Sequence, residues 1–474
     1  MDVQMVINGE AVGKNLKRIE VMNPATNEIV GTVPEGGEVE AKLAVDAADH
    51  VFDKWAKTTV YERADLLRKL FDLMHEEKEV LAELMTKEMG KPISQSLGEV
   101  NYAASFLDWF AEEGKRLYGR TIPTHAENKR IQVWHKPVGI VFAITPWNFP
   151  IAMITRKLGP AIAAGCPIII KPPQASPLTA IKFMELVERA GFPKGVINVV
   201  TGKSSEITNV MMKDKRVRKI TFTGSTAVGK KLIEQSAYQV KKLSLELGGH
   251  APAIVFKDAN IDLAVKEIVA AKFRNGGQTC VCVNRIYVHD SIYNQFAEKY
   301  TEAVKQLQVG DGQDENDDIG PLVNEAAIAK VETHVQDALE KGATLLTGGK
   351  LYKENTLIYE PTVIGNVRSD MIMMQDETFG PLAPIQSFTE DHEAIQLAND
   401  TPFGLASYIF TDNLSRGMLA AEQLDYGIVG WNDGLPSTAQ APFGGMKESG
   451  YGREGGKEGI EAFVETQYVS IGLE

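Results

Sequence analysis

From Val138 onward the chain repeats one unit, a short apolar run followed by a helix-length segment, and few architectures accept that repeat. The runs are Val138 to Ile144, Ile168 to Ile170, Val196 to Val200 and Ile220 to Phe222. They are near-continuous rather than alternating, so each strand is expected to be buried on both faces, as in a doubly wound parallel sheet. After Gly248-Gly249 the repeat restarts with Ala253 to Phe256, a helix near Asp262 to Phe273, Arg285 to Val288 and a helix from Ser291 to Gln306. Two α/β domains follow, with the glycine pair expected to act as a hinge between them. Their cleft is the natural place for a site.

Ahead of this repeat, Val39 to Trp55 and Ala64 to Met89 carry apolar residues at three- and four-residue steps, so the first hundred residues read as helices covering the sheet. Two segments belong to neither domain. Arg130-Ile-Gln-Val-Trp-His-Lys-Pro and Phe463-Val-Glu-Thr-Gln-Tyr-Val-Ser-Ile alternate as exposed strands do, and such edges invite pairing with another chain. An oligomerisation arm is the expectation.

Composition removes several classes. Hydrophobic residues make up 44% and charged residues 24% of 474, the mix of a globular chain rather than a disordered one. Fifty Lys and Arg stand against 63 Asp and Glu, and a net charge of −13 opposes binding to nucleic acid. No apolar stretch approaches a membrane span and no signal-like segment opens the chain, so no membrane partner and a cytoplasmic location are expected. Cys166, Cys280 and Cys282 are too few for a disulfide framework. The eight scattered histidines offer no metal motif.

Chemistry gathers in a few places. Cys280 sits in Phe273-Arg-Asn-Gly-Gly-Gln-Thr-Cys-Val-Cys, on a glycine-rich loop directly after a helix. It is either a packing cysteine or a nucleophile, since a thiol reacts only where its thiolate is stabilised. Glu246 in Leu245-Glu-Leu-Gly-Gly and Asn148 in Pro146-Trp-Asn-Phe-Pro supply a candidate base and a candidate amide donor. Phe222-Thr-Gly-Ser-Thr-Ala-Val-Gly follows a strand and opens a helix; its amides and helix dipole suit a phosphate, or it is simply a tight turn. Lys171 ends an apolar strand, where ligands meet parallel sheets or where a lysine reaches solvent.

Taken together, Pro146-Trp-Asn-Phe-Pro, Lys171-Pro, Phe222-Thr-Gly-Ser, Glu246-Leu-Gly-Gly, Gly277-Gln-Thr-Cys, Glu377-Thr-Phe-Gly-Pro and Pro442-Phe-Gly-Gly stand in the order and spacing of the NAD(P)-dependent aldehyde dehydrogenases. The chain resembles that family from Asn23-Pro-Ala-Thr to its last strand. The resemblance implies a Rossmann-type cofactor domain at 1–122 and 142–248, an α/β catalytic domain at 249–445 and a β-strand oligomerisation arm at 123–141 and 460–474, assembled as a homodimer or homotetramer.

It further implies that Cys280 attacks an aldehyde carbonyl, that Asn148 and the backbone N–H of Cys280 hold the oxyanion, and that Glu246 activates the water that hydrolyses the thioester. Glu246, in an apolar turn flanked by glycine, is expected to have a raised pKa. Asn148 is also placed to cap a helix starting near Phe149. Trp147, Lys171, Gln174, Gly224, Ser225, Glu377 and Phe379 become cofactor contacts: Lys171 at the adenosine ribose, Gly224 and Ser225 at the pyrophosphate, Glu377 at the nicotinamide ribose and Phe379 beside its ring. Gln174 replaces the glutamate common in NAD-preferring relatives, so NADP is expected to be accepted and NAD use is possible.

Within the family, Arg156, Arg274 and Ser437 resemble the residues that grip the carboxylate of succinate semialdehyde in the succinate-semialdehyde dehydrogenase branch. Arg274 alone also suits a helix C-terminal cation. Phe149, Trp147 and Phe443 are expected as an apolar sleeve around the short chain, Trp147 being counted with the cofactor contacts. Glutarate or 2-oxoglutarate semialdehyde, or a broad range of aldehydes, is the alternative substrate. Cys282, two residues from the nucleophile, fits the same branch and suggests a reversible redox switch with Cys280.

Overall fold

A computed structural model describes residues 1–474. Its first sheet has eight strands in the order Glu10–Val12, Met5–Ile7, Ile197–Val199, Ile168–Lys171, Ile140–Ile144, Val217–Thr223, Lys242–Glu246 and Gly450–Tyr451. The five central strands are parallel and run 3-2-1-4-5 in chain order. Strand order therefore reverses between Ile140–Ile144 and Val217–Thr223, and ligands of doubly wound sheets bind beyond the carboxyl ends of strands at such a reversal. Asn148 follows one of these two strands and Gly224 the other.

Why the runs are continuously apolar is visible in the packing. Val141 and Ala143 enter one core while Ile140 and Phe142 enter another on the opposite face. The helices Glu38–Trp55 and Ala152–Ala164 lie against the sheet, and Val60–Glu76, Lys78–Met89 and Ile93–Glu113 form a further layer.

The second sheet has seven strands in the order Thr344–Thr347, Thr362–Gly365, Leu382–Phe388, Val283–His289, Ala251–Val255, Ala406–Phe410 and Ile428–Trp431. Only Thr344–Thr347 runs antiparallel. The two sheets are joined through Glu246 to Ala251.

Several expectations need correction. The chain does not open on helices: four short strands lie between Met5 and Pro34, and Met5–Ile7 extends the first sheet antiparallel to Ile197–Val199. The helical stretch to Met89 is two helices, broken at Glu77. Neither Gly248 nor Gly249 adopts a left-handed backbone, so the pair is not required for conformational freedom. The arm segments are not left unpaired. Val464–Gly472 pairs antiparallel with Lys129–Pro137 over nine residues, and Arg120–Ile122 adds a third strand, leaving Val464–Gly472 at the edge. Finally, residues past 445 return to the first sheet, where Gly450–Tyr451 pairs with the Glu246 strand. No helix is long and apolar enough to cross a membrane.

Candidate active site

The helix Ile261–Phe273 stops at Arg274, and Asn275, Gly276 and Gly277 then take left-handed backbone angles in succession, with φ of 53°, 61° and 76°. Asparagine and glycine tolerate that region best. The turn throws Cys280 out of the helix path and into the space between the sheets. Buried amides hold the loop in shape. Asn275 Nδ2 donates to the carbonyls of Asn148 (3.1 Å) and Gln278 (3.3 Å). Gln278 Nε2 donates to Asn275 and Pro321, while its Oε1 accepts from Val323 N. Beyond the nucleophile, the Tyr408 hydroxyl donates to the Val281 carbonyl at 2.6 Å.

Asn148 is buried, and its Nδ2 donates to the Gln278 carbonyl at 2.9 Å, which ties it to the loop two residues before Cys280. It does not cap a helix. The following helix begins at Ala152, and Glu99 Oε1 takes the N–H groups of Ile151 and Ala152 at 3.0 and 3.2 Å. The second Nδ2 hydrogen is therefore left for the site.

Glu246 ends a strand rather than lying in a turn. Its backbone is fixed on both sides, opposite Thr223 and Gly450. Its carboxylate is buried with neither oxygen hydrogen-bonded. Burial and then the negative charge of Glu454 push its pKa well above the usual range, against the opposing pull of Arg156, Lys157 and Arg453. Burial likewise pushes the Cys280 thiol up to about 12, Arg156 pulling the other way. Thiol and carboxyl thus share one low-dielectric space in which both are pushed toward their protonated forms.

Arg156 is 2% exposed. Its guanidinium lies 3.9 Å from the centroid of Phe443, and Nη2 stands 3.0 Å from Glu454 Oε2, off the hydrogen-bonding direction. Glu454 is also paired to Lys157, whose Nζ donates to Thr223 Oγ1 at 2.6 Å. Although burial works the other way, Lys157 and Arg156 hold Glu454 below the usual carboxylate range. Arg274 is half-buried with Nε unpartnered, and its guanidinium lies 5.4 Å from the Phe149 centroid. Phe149 and Phe443, expected as an apolar sleeve, thus each present a ring to an arginine. Ser437 is half-buried and makes no side-chain hydrogen bond.

At the sheet reversal, Lys171 is 3% exposed, and burial pushes its pKa down to about 8 with no acidic partner to counter it. Glu377 Oε1 accepts from Gly249 N at 3.1 Å, and burial pushes its pKa up to about 7. Phe379, at φ 56°, meets Trp147 edge to face with centroids 5.8 Å apart. The Ser225 hydroxyl caps Thr226–Ser236 by accepting from Val228 N, which leaves its O–H free to donate. Gly224 packs against the Phe222 ring, where a β-carbon would come within 2.4 Å. Gln174 is exposed and donates to the Gly202 carbonyl.

Cys282 is buried and turned inward, with Sγ 3.1 Å from the Gly277 carbonyl and Lys272 and Asn284 beside it. Cys166 is buried, and its thiol donates to the Phe463 carbonyl at 3.3 Å. No group of three or more His, Cys, Asp or Glu side chains is disposed to hold a metal ion.

The sequence pattern of the aldehyde dehydrogenase family matches residues 12–469. The chain belongs to that family. This aldehyde dehydrogenase is 51% identical over 471 residues to an Escherichia coli protein named succinate-semialdehyde dehydrogenase [NADP(+)], covering 99% of this chain and 98% of the relative. It is 50% identical, with the same coverage, to a Pseudomonas putida protein named glutarate-semialdehyde dehydrogenase. A crystal structure of succinate-semialdehyde dehydrogenase from Burkholderia pseudomallei superposes with a TM-score of 0.98 at 50% identity, covering 99% of this chain and 98% of the other.

Sequence reasoning missed Glu454, Lys157, Asn275 and Gln278 as parts of the dehydrogenase site. Glu454 and Lys157 are nearly 300 residues apart along the chain. Only a charged residue inside an apolar helix, as at Arg156-Lys157, hinted that something buried must answer it.

Proposed function

We propose that this aldehyde dehydrogenase oxidises succinate semialdehyde to succinate, with NADP or NAD as hydride acceptor. The observation that carries the reading is a pair of guanidiniums, Arg156 and Arg274, whose buried Nε donors have no protein acceptor, Arg156 meeting Glu454 only through Nη2. Buried donors find partners, and a carboxylate is the partner that matches a guanidinium. The E. coli and Burkholderia relatives bear the matching name.

The residues at the sheet reversal fit a dinucleotide. Lys171 is an ammonium with no protein acceptor, suited to ribose hydroxyls, and Glu377 keeps one oxygen free beside Gly248 for a second ribose. Gly224 and the opening of Thr226–Ser236 suit the pyrophosphate, with Trp147 and Phe379 near the ring. The bound nicotinamide supplies an acceptor for hydride.

Cys280 Sγ passes its proton to Glu246, which releases it to solvent before the hydrolytic stage, and bonds to the aldehyde carbon. The carbonyl oxygen becomes an oxyanion, received by Asn148 Nδ2 and the Cys280 N–H. Loss of hydride from that carbon leaves a thioester on Cys280. Glu246 then takes a proton from water, which attacks the acyl carbon, and the carbon–sulfur bond breaks to release the acid and free Cys280. The sum consumes one aldehyde, one water and one oxidised cofactor, and yields one carboxylate, one reduced cofactor and two protons.

We assign the first sheet to the cofactor and the second to the thiol. Steady-state rates with succinate and glutarate semialdehydes and uncharged butanal, using NAD and NADP in parallel, test the reading. Glutarate semialdehyde belongs in the panel because one methylene is worth only about 1–3 kcal/mol. Arg274→Ala should raise the KM for succinate semialdehyde far more than that for butanal; equal losses would remove the carboxylate grip.

The arm presents Val464–Gly472 as an open edge beside exposed Trp134 and Tyr468, and we assign it to pairing between copies of this chain. A monomer by light scattering would sink that assignment. A Cys280–Cys282 switch requires Cys282 to leave Gly277 and Asn284. Peroxide inactivation reversed by a thiol reductant, and absent in Cys282→Ala, is the expected result.

A further inference from the structure

Each arginine of the proposed grip lies over an aromatic ring, Arg156 in close contact and Arg274 farther off. Arg156 lies 3.9 Å from the Phe443 centroid and 5.7 Å from that of Phe106. Phe443 and Glu454 exchange both backbone hydrogen bonds at 2.7 Å, so one hairpin presents a ring and a carboxylate to the same guanidinium. Arg274 lies 5.4 Å from the Phe149 centroid, and Lys91 Nζ lies 3.8 Å from that same centroid. Lys91 is in turn paired with buried Glu99, which takes the N–H groups at the start of Ala152–Ala164. Neither guanidinium is fixed by the usual fork of hydrogen bonds: Arg156 Nε and Nη2 and Arg274 Nε are buried without aligned acceptors.

We propose that Phe149 and Phe443 are specificity-determining residues that position Arg274 and Arg156 for the substrate's carboxylate. This deepens, and rests on, the carboxylate-grip reading. An aromatic face attracts a guanidinium without using any of its N–H groups. The ring therefore orients each guanidinium without consuming an N–H; on Arg156, Glu454 takes the Nη2 side and Nε is left for the substrate. An aliphatic residue at either position keeps an apolar wall but loses the attraction, so the arginine is no longer held in the plane the carboxylate meets.

The test compares kcat/KM for succinate semialdehyde and for butanal, which has the same four carbons and no carboxylate, in wild type, Phe149→Leu, Phe149→Tyr and Phe443→Leu. Phe149 is only half-buried, so its variants guard against misfolding at Phe443, and thermal melts check each protein. The expected result is that each leucine variant loses about tenfold more on succinate semialdehyde than on butanal, the difference appearing in KM, and that Phe149→Tyr restores the ratio. Equal losses on both aldehydes, or a tyrosine variant no better than leucine, would make the rings mere walls and overturn the proposal. Arg274→Gln separates the two ideas. If it discriminates between the aldehydes while the leucine variants do not, only the positioning role fails; if it does not discriminate, the grip itself fails.

Discussion

Gly249 is pressed against the carbonyl oxygen of Cys280: a β-carbon built on it would stand 2.2 Å from that oxygen. Gly249 is thus required by close approach rather than by backbone angle. Gly249→Ala should push the nucleophile loop away from Asn148. Overpacking of this kind costs about 1–3 kcal/mol of stability, and a displaced reacting group lowers kcat by roughly 10²-fold. A melt and a rate measurement on one preparation check both.

Asn148 is expected to act on the transition state alone. Asn148→Ala should lower kcat by roughly 10²–10³-fold, the loss of one oxyanion donor, with little change in melting temperature. A large drop in stability would reassign the amide to holding the loop through Gln278.

Glu246 works as a base only when ionised, and burial together with Glu454 keeps its proton on to unusually high pH. Deacylation should therefore fail as pH falls, starting well above the ordinary carboxylate range. Glu246→Gln should trap the thioester, giving a burst of reduced cofactor followed by a slow, pH-insensitive phase. Stopped-flow absorbance reads both phases.

Glu377 carries a folded-state pKa of about 7 against an ordinary 4.5. Below 4.5 both states hold the proton and the group is neutral to stability. Between 4.5 and 7 the unfolded chain ionises first, so rising pH favours unfolding, and the penalty is complete above about 7. In cofactor-free protein, Glu377→Gln should gain melting temperature over wild type across that window and hold the gain above it. A difference that does not vary with pH would contradict the shift.

Gln174 stands exposed at the end of the Lys171 strand, where a carboxylate would repel a 2′-phosphate. Gln174→Glu should raise the KM for NADP by about tenfold or more while sparing NAD. Parallel titrations of the two cofactors measure the change.

Much of this was legible before any coordinates. Apolar runs such as Ile168 to Ile170 announce strands buried on both faces, and the family resemblance names Cys280, Glu246 and Asn148 together. What escaped reading depends on the third dimension. Met5–Ile7 is too short to show a period. Glu246 sits at a strand end because Gly450 pairs with it from two hundred residues away. Glu99 looks like any surface glutamate on its helix, yet it caps another helix. Phe149 and Phe443 look like pocket lining until their rings are seen under Arg274 and Arg156.

The hairpin that carries Phe443 and Glu454 is a late arrival in biosynthesis. Thiol, base and amide are all translated well before it, yet Arg156 has no counter-charge and the Glu246 strand no outer neighbour until Glu454 has been made. A chain cut short before this hairpin would lose the Arg156–Glu454 pair and the Glu246 strand's outer neighbour together.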